Sequence, residues 1–271
     1  MKSDLKVRVI SAIVALIIVI PILIIGSYAF YIGACIIGCI GFYEMLSLRN
    51  KKKEIPLLMK ILSFLCFLTL TATSIFEHNF SIDYRLLVIV PLVLLSPLLF
   101  YGKSKKYDAE DALFVMASVF FLGISFRYLV IFRNFGIHFL LYLLMITIMT
   151  DTFAHFFGTK IGRNKLCPYV SPNKTIEGMI GGTIMGTFIG TVYYITFTNS
   201  IANIFSVIGV TLVLSLVAQI GDLVFSAIKR KYDVKDYGNI MPGHGGVLDR
   251  LDSLIFAMLA FSILCSSIIG F

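Results

Sequence analysis

Charge is scarce in this chain. Of its 271 residues only 14% are Asp, Glu, Lys or Arg, against about a quarter in soluble domains. Hydrophobic residues make up 58% and mean hydropathy is +0.94, which excludes an ordinary soluble fold and implies an integral membrane protein. No polar connection is long enough for a soluble domain, the longest running over 229–250, and no low-complexity tract or internal repeat is visible. A disulfide framework is also missing. Cys35, Cys39, Cys66 and Cys265 lie in apolar runs and only Cys167 lies in a polar loop. Cys35 and Cys39 share a helical face, as small buried residues rather than a metal pair. There is no His-Glu-x-x-His spacing, which removes a zinc site, and no basic patch interleaved with aromatics, which removes nucleic acid as a partner. Lys2, Lys6 and Arg8 precede an apolar run over 9–26 that is too long for a signal-peptide core and is followed by no Ala-x-Ala site, so it reads as an uncleaved first span.

What the chain does have is apolar segments of membrane-crossing length. About 20 such residues cross a bilayer as a helix, the form that bonds its own backbone. Nine segments qualify: 8–27, 29–48, 55–76, 84–101, 113–132, 136–157, 175–197, 203–228 and 252–271. The expected fold is all-α and polytopic, with an N-terminal membrane region at 1–135 holding about five helices and a C-terminal catalytic region at 136–271. Lys and Arg set the orientation. With the N-terminus in the cytoplasm, 19 of the 23 basic residues face that side, and only Arg85 and Arg133 face the other. The C-terminus is then outside, and every polar loop with chemical potential faces the cytoplasm. The net charge of +8 sits in short clusters between apolar runs, which suits anionic headgroups and phosphate-bearing substrates.

Polar residues concentrate at three places. The sixth segment ends with Asp151, His155, Gly158 and Gly162 on one helical stripe. An acid inside a span faces a partner or a wet cavity. It is followed by Ser171-Pro172-Asn173-Lys174-Thr175-Ile176-Glu177, where Thr175 or Asn173 can cap a helix and Glu177 can sit in its first turn. Lys174 beside a helix N-terminus suits a phosphate. The helix so begun carries Gly178, Gly182, Gly186 and Gly190 every fourth residue, a groove for close helix packing within one subunit or between two.

The third place is the stretch from Gln219 to Ser253. If Asp222 to Lys229 is helical, Asp222, Ser226 and Lys229 form a stripe about 10 Å long, a carboxylate, a hydroxyl and an ammonium suited to a metal followed by a polyanion. Gly243, Gly245 and Gly246 flank His244, and such glycines allow backbone amides to converge on an anion. Lys229, Arg230, Lys235, Asp236, Asp249, Arg250 and Asp252 crowd around them. Magnesium takes one or two carboxylates plus substrate phosphates. Asp222 and Asp249 are the best pair for it, and Asp252 is a further ligand or a helix cap.

The run Ser226-x2-Lys229-Arg230-x4-Lys235-Asp236-x5-Pro242-Gly243-His244-Gly245-Gly246-x2-Asp249-Arg250-x-Asp252 resembles the signature of phosphatidate cytidylyltransferases, the CDP-diacylglycerol synthases. The resemblance extends upstream to Asp151, Ala154, Gly158, Gly162 and the Ser171-to-Gly178 motif. Asn173 stands where that family commonly has lysine, which leaves Lys174 with the charge, and Phe153 and His155 also depart from its pattern. The resemblance implies conversion of CTP and phosphatidate to CDP-diacylglycerol and pyrophosphate at the cell (inner) membrane, with Mg2+, K+ as a second ion, and a homodimer. Residues and resemblance together assign Asp222, Lys229, Asp249 and His244 to catalysis. Substrate binding falls to Ser171, Lys174, Thr175, Ser226, Arg230, Lys235, Gly245, Gly246 and Arg250, and metal binding to Asp222, Asp249, Asp252 and Asp151. The rival reading is an ion-coupled transporter using the same aspartates. Against it, the charges gather at one face and no inverted repeat shows.

Overall fold

The structure is a computed structural model that describes residues 2–73, 82–101, 106–198, 202–243 and 245–265, with side chains placed except at 2–8, 12 and 27. It divides into two compact units, Met1–Asn134 with Tyr232–Arg250, and Phe135–Lys231 with Leu251–Phe271.

The first unit is built on α1 (Lys2–Ile25), α2 (Ser27–Lys52), α3 (Leu57–Ala72), α4 (Tyr84–Leu95), α5 (Leu98–Tyr101) and α6 (Ala109–Phe135). Gly26 turns the chain between α1 and α2 at φ 65°, a conformation glycine adopts without strain. Arg133 donates to the α1 carbonyls of Leu23 at 2.8 Å and Ile24 at 3.1 Å, acceptors that a helix C-terminus leaves unmet. Phe42 stacks on Phe67 at 5.1 Å and Phe67 meets Phe126 edge-on at 6.1 Å, in a core of fully buried rings. Fully buried Arg127 donates to Thr73 Oγ1 at 2.5 Å.

The second unit contains α7 (Ile137–Ile161), strands β1 (Lys165–Cys167) and β2 (Ser171–Thr175), α8 (Ile176–Phe197) and α9 (Ile204–Lys231). It also takes α10 (Leu248–Leu264) from Leu251 onward. The glycine stripe of α8 lies against α7. A Cβ at Gly178 would come within 2.6 Å of Ala154 O, at Gly182 within 2.6 Å of Thr150 O, and at Gly190 within 2.6 Å of Ile146. The groove is thus filled inside the subunit, the first of the two readings its spacing allowed. Three buried polar contacts tie the helices together. Tyr142 and Thr211 share a hydrogen bond of 2.7 Å, as do Thr150 and Ser215, and Gln219 donates to Thr183 at 2.9 Å.

Among the described residues six helices are long and apolar enough to cross a membrane: Tyr28–Lys52, Tyr84–Tyr101, Ala109–Phe135, Ile137–Ile161, Ile176–Phe197 and Ile204–Lys231. The expected segments 8–27 and 55–76 correspond to the shorter apolar helices Val9–Ile25 and Leu57–Ala72. The last, 252–271, corresponds to α10 as far as Leu264, a helix of 17 residues. Residues 266–271 lie outside the described ones. The fold is otherwise all-α as expected, apart from the two-stranded antiparallel ladder, in which Lys165 pairs with Thr175 and Cys167 with Ser171.

Candidate functional site

In the second unit, α9 remains helical through Lys231, so the Asp222, Ser226 and Lys229 stripe forms. Ser226 Oγ donates to Asp222 Oδ1 at 3.3 Å. The β-ladder carries Lys174 to the same place, and its ammonium lies 2.5 Å from Asp222 Oδ2, both side chains about three-quarters shielded. Two more acids join this pair. Asp151 on α7 accepts from Ser253 Oγ at 3.4 Å, and Asp252 Oδ1 accepts from Ser253 N at 2.7 Å. Asp151 and Asp252 act electrostatically on each other and both feel Asp222, with Lys174 opposing the charge of Asp151 and Lys229 that of Asp252. One ion pair, Lys174 with Asp222, thus stands within the electrostatic reach of two further acids and of Lys229.

The ladder and the start of α8 are set by two residues. Thr175 is the N-cap, accepting from Gly178 N at 3.2 Å, and it is buried between Gly158, Gly162 and Gly178. Its expected substrate contact is thus joined by a packing role. Glu177 reaches back to accept from Arg163 N at 3.0 Å and from Asn164 N and Nδ2 at 3.1 and 2.9 Å. Ser171 begins β2, half-buried. Arg230 Nε donates to Val170 O at 3.4 Å, which ties the end of α9 to the turn of the ladder.

In the first unit, Lys235, Asp236, Asn239, Met241, Pro242, Gly243, Gly245 and Arg250 line a polar cavity of about 470 Å³. The turn that walls it closes by paired backbone bonds between Met241 and Gly245 of 3.0 and 3.1 Å. Gly243 and Gly245 stand at φ 76° and 86°, which explains their type. His244, expected in catalysis, lies outside the described residues. Two amides at this turn are engaged inside the protein. Gly245 N donates to Met241 O, and Gly246 N, with Tyr237 N, donates to Asp249 Oδ2 at 2.9 and 2.8 Å. Gly245 and Gly246 were expected to offer amides to substrate. Here side chains, Lys235 and Arg250, bring positive charge to the cavity. Asp249, in the first turn of α10, shapes this turn.

Sequence reading missed Glu44. It lies on α2, buried, and accepts from Val247 N and Leu248 N, each at 2.9 Å. A lone acid inside an apolar run was the only signal available. Among the described residues no three His, Cys, Asp or Glu side chains stand close enough to cage a metal. Magnesium needs no such cage, because phosphate and water oxygens complete its shell. Asp151, Asp222 and Asp252 offer hard oxygen donors near Lys174 and Lys229, a donor set whose chemistry suits a hard divalent ion and not a soft metal.

Fold and site define a multi-pass helical membrane protein with a carboxylate–ammonium cluster and a basic glycine turn. The chain belongs to the cytidylyltransferase family, whose model matches residues 6–268. Over 261 residues it is 36% identical to a phosphatidate cytidylyltransferase of Staphylococcus haemolyticus, covering 96% of this chain and 98% of that one. Similar enzymes of Staphylococcus aureus and Staphylococcus saprophyticus are 36% and 34% identical over the same shares. The protein is accordingly a nucleotidyltransferase, and the match takes in residues 6–135, a region the motifs alone had left out.

Proposed function

We propose that the protein transfers the cytidylyl group of CTP to phosphatidate, forming CDP-diacylglycerol and pyrophosphate at the cytoplasmic face of the cell membrane. The near-full-length similarity to phosphatidate cytidylyltransferases carries this reading. A phosphate oxygen of phosphatidate attacks the α-phosphorus of CTP. One P–O bond forms there as the bond to the bridging oxygen breaks, and that electron pair leaves with pyrophosphate. The second pKa of a phosphate monoester is about 6, so the attacking group is already largely dianionic and needs neither a protein nucleophile nor a dedicated base. The protein's task is to align two mutually repelling polyanions and to meet the charge that develops on the leaving group. Lys174 and Lys229 suit that task in the acid cluster, and Lys235 and Arg250 suit it in the cavity.

A bound divalent ion would neutralise phosphate charge in the ground state and on the leaving group. Asp222 and Asp252, with Asp151 beside them, would hold it. Asp249 enters as a ligand on the sequence argument. Magnesium as that ion, potassium as a second and a homodimeric assembly enter from the family resemblance. Purified protein given radiolabelled CTP and phosphatidate should release pyrophosphate and form labelled CDP-diacylglycerol only when both substrates and magnesium are present. Absence of pyrophosphate release with both substrates would overturn the reading and favour a transport role for the aspartates.

A further inference from the structure

Glu44 is an acid on a helix of membrane-crossing length, with 2% of its surface exposed. A carboxylate in such a place is costly unless donors meet it. The donors come from 203 and 204 residues away: Val247 N bonds Oε1 and Leu248 N bonds Oε2, each at 2.9 Å. These amides open α10, where a helix leaves its N–H groups unmet and its dipole is positive. Gly246 N, just before them, is held by Asp249. Three successive amides at the head of α10 are therefore each engaged by a protein carboxylate.

Glycine placement gives a second, independent sign. A Cβ at Gly238 would come within 2.5 Å of Glu44 Oε1, and one at Gly246 within 2.6 Å of both carboxylate oxygens. Neither glycine stands at the positive φ that would by itself demand the residue. Both leave room for the Glu44 carboxylate.

We propose that Glu44 is a positioning residue for the nucleotide half of the reaction. It clamps the start of α10 and the glycine turn, which sets the Asp249 carboxylate and gives the cavity of Lys235 and Arg250 its shape. This rests on the cytidylyltransfer reading. Glu44 acts through the turn, and its carboxylate oxygens are occupied by the two amides.

The test uses the full chain in mixed micelles of detergent and phosphatidate, with each substrate varied in turn. Glu44→Gln keeps the shape but turns an NH2 toward one of the two amides. It should raise KM for CTP by about tenfold or more, with KM for phosphatidate within about twofold of wild type. Loss of folded enzyme alone would lower kcat and leave both KM values unchanged. Gly246→Ala, which pushes a methyl into the same carboxylate, should give the same CTP-specific defect. Combining it with the shorter Glu44→Asp should give a milder defect than the two singles summed. Unchanged KM for CTP in Glu44→Gln overturns the proposal. If that variant does not fold, unchanged KM for CTP in Gly246→Ala overturns it instead. A wild-type protein that releases no pyrophosphate from CTP would overturn the reaction itself, and the Glu44 role with it.

Discussion

Lys174 and Asp222 show how one contact can hold a site ready. The ammonium meets the carboxylate at 2.5 Å, so in this arrangement it balances an acid that the proposed reaction needs for a cation. Lys174→Met and Lys229→Met remove phosphate-attracting charge at the cluster. Each should lower kcat/KM by about tenfold or more while the protein still folds, as its melting in detergent would show. Normal kinetics with both substrates in both variants would remove them from the phosphate site. For the acids, Asp222→Asn and Asp252→Asn keep shape and remove charge, and turnover should fall by about a hundredfold or more at every magnesium concentration. Asp249→Asn separates two roles. Its remaining carbonyl oxygen can still accept from Tyr237 N and Gly246 N, so the turn survives and any collapse of turnover reports a lost ligand. Wild-type turnover across a magnesium titration would make Asp249 a turn-shaping residue only.

At the scale of elements, two junctions can be tested. The end of α2 meets the start of α6 through Arg49 Nε to Asp111 Oδ1 at 2.6 Å, with Lys53 Nζ bonding Asp108 and Asp111, also at 2.6 Å. Asp111 is 1% exposed. Asp111→Ala removes the buried acceptor that Arg49 and Lys53 share and leaves them to Asp108 and Glu110, which should destabilise the protein by about 2 kcal/mol, seen as a lower melting temperature with activity per folded molecule retained. Asp108 is half-exposed, so its share is smaller but depends on pH. The Lys53 hydrogen bond and the Asp111 amide hold its carboxyl down at about 2. A depressed carboxyl stabilises fully above its ordinary value of about 4 and loses that stabilisation as pH falls through its folded value. Wild type should therefore melt above Asp108→Asn at pH 6, and the two should converge near pH 2. The second junction is α7 with α8. Gly182→Leu would drive a side chain into Thr150 O and Ala154 and should reduce folded yield. A change in oligomeric state with the fold intact would instead put that stripe at a subunit contact.

Orientation belongs to the whole molecule. The bias of 19 basic residues against two puts the loops after α2, α7 and α9 on the cytoplasmic side in the proposed topology. Single cysteines replacing the exposed residues Lys51, Lys165 and Ile240, in a background without native cysteines, should react with an impermeant reagent only after the membrane is opened. Tyr84→Cys, near the start of α4, should react in intact cells. Labelling of Ile240→Cys in intact cells would overturn the topology and, with it, access of cytoplasmic CTP to the glycine turn.

By itself the sequence determined the class of the protein. Scarce charge and long apolar runs allow few solutions besides helices in a membrane, and a motif as long as Ser226 to Asp252 pointed to one family. It also made the Asp222, Ser226 and Lys229 stripe legible, because helical spacing is a local rule. Only the tertiary structure decided what stands next to that stripe. Lys174 reaches Asp222 on a ladder of three- and five-residue strands, too short to show a period. Glu44 bonds amides some 200 residues away, a pairing that no local pattern records. The glycines of the turn suggested amides open to an anion, yet Gly246 packs against Glu44 and its amide goes to Asp249. Composition and spacing report what each residue can do. Which partner satisfies it depends on which segments folding brings together, because a buried donor or acceptor must be met by whatever group lies within reach.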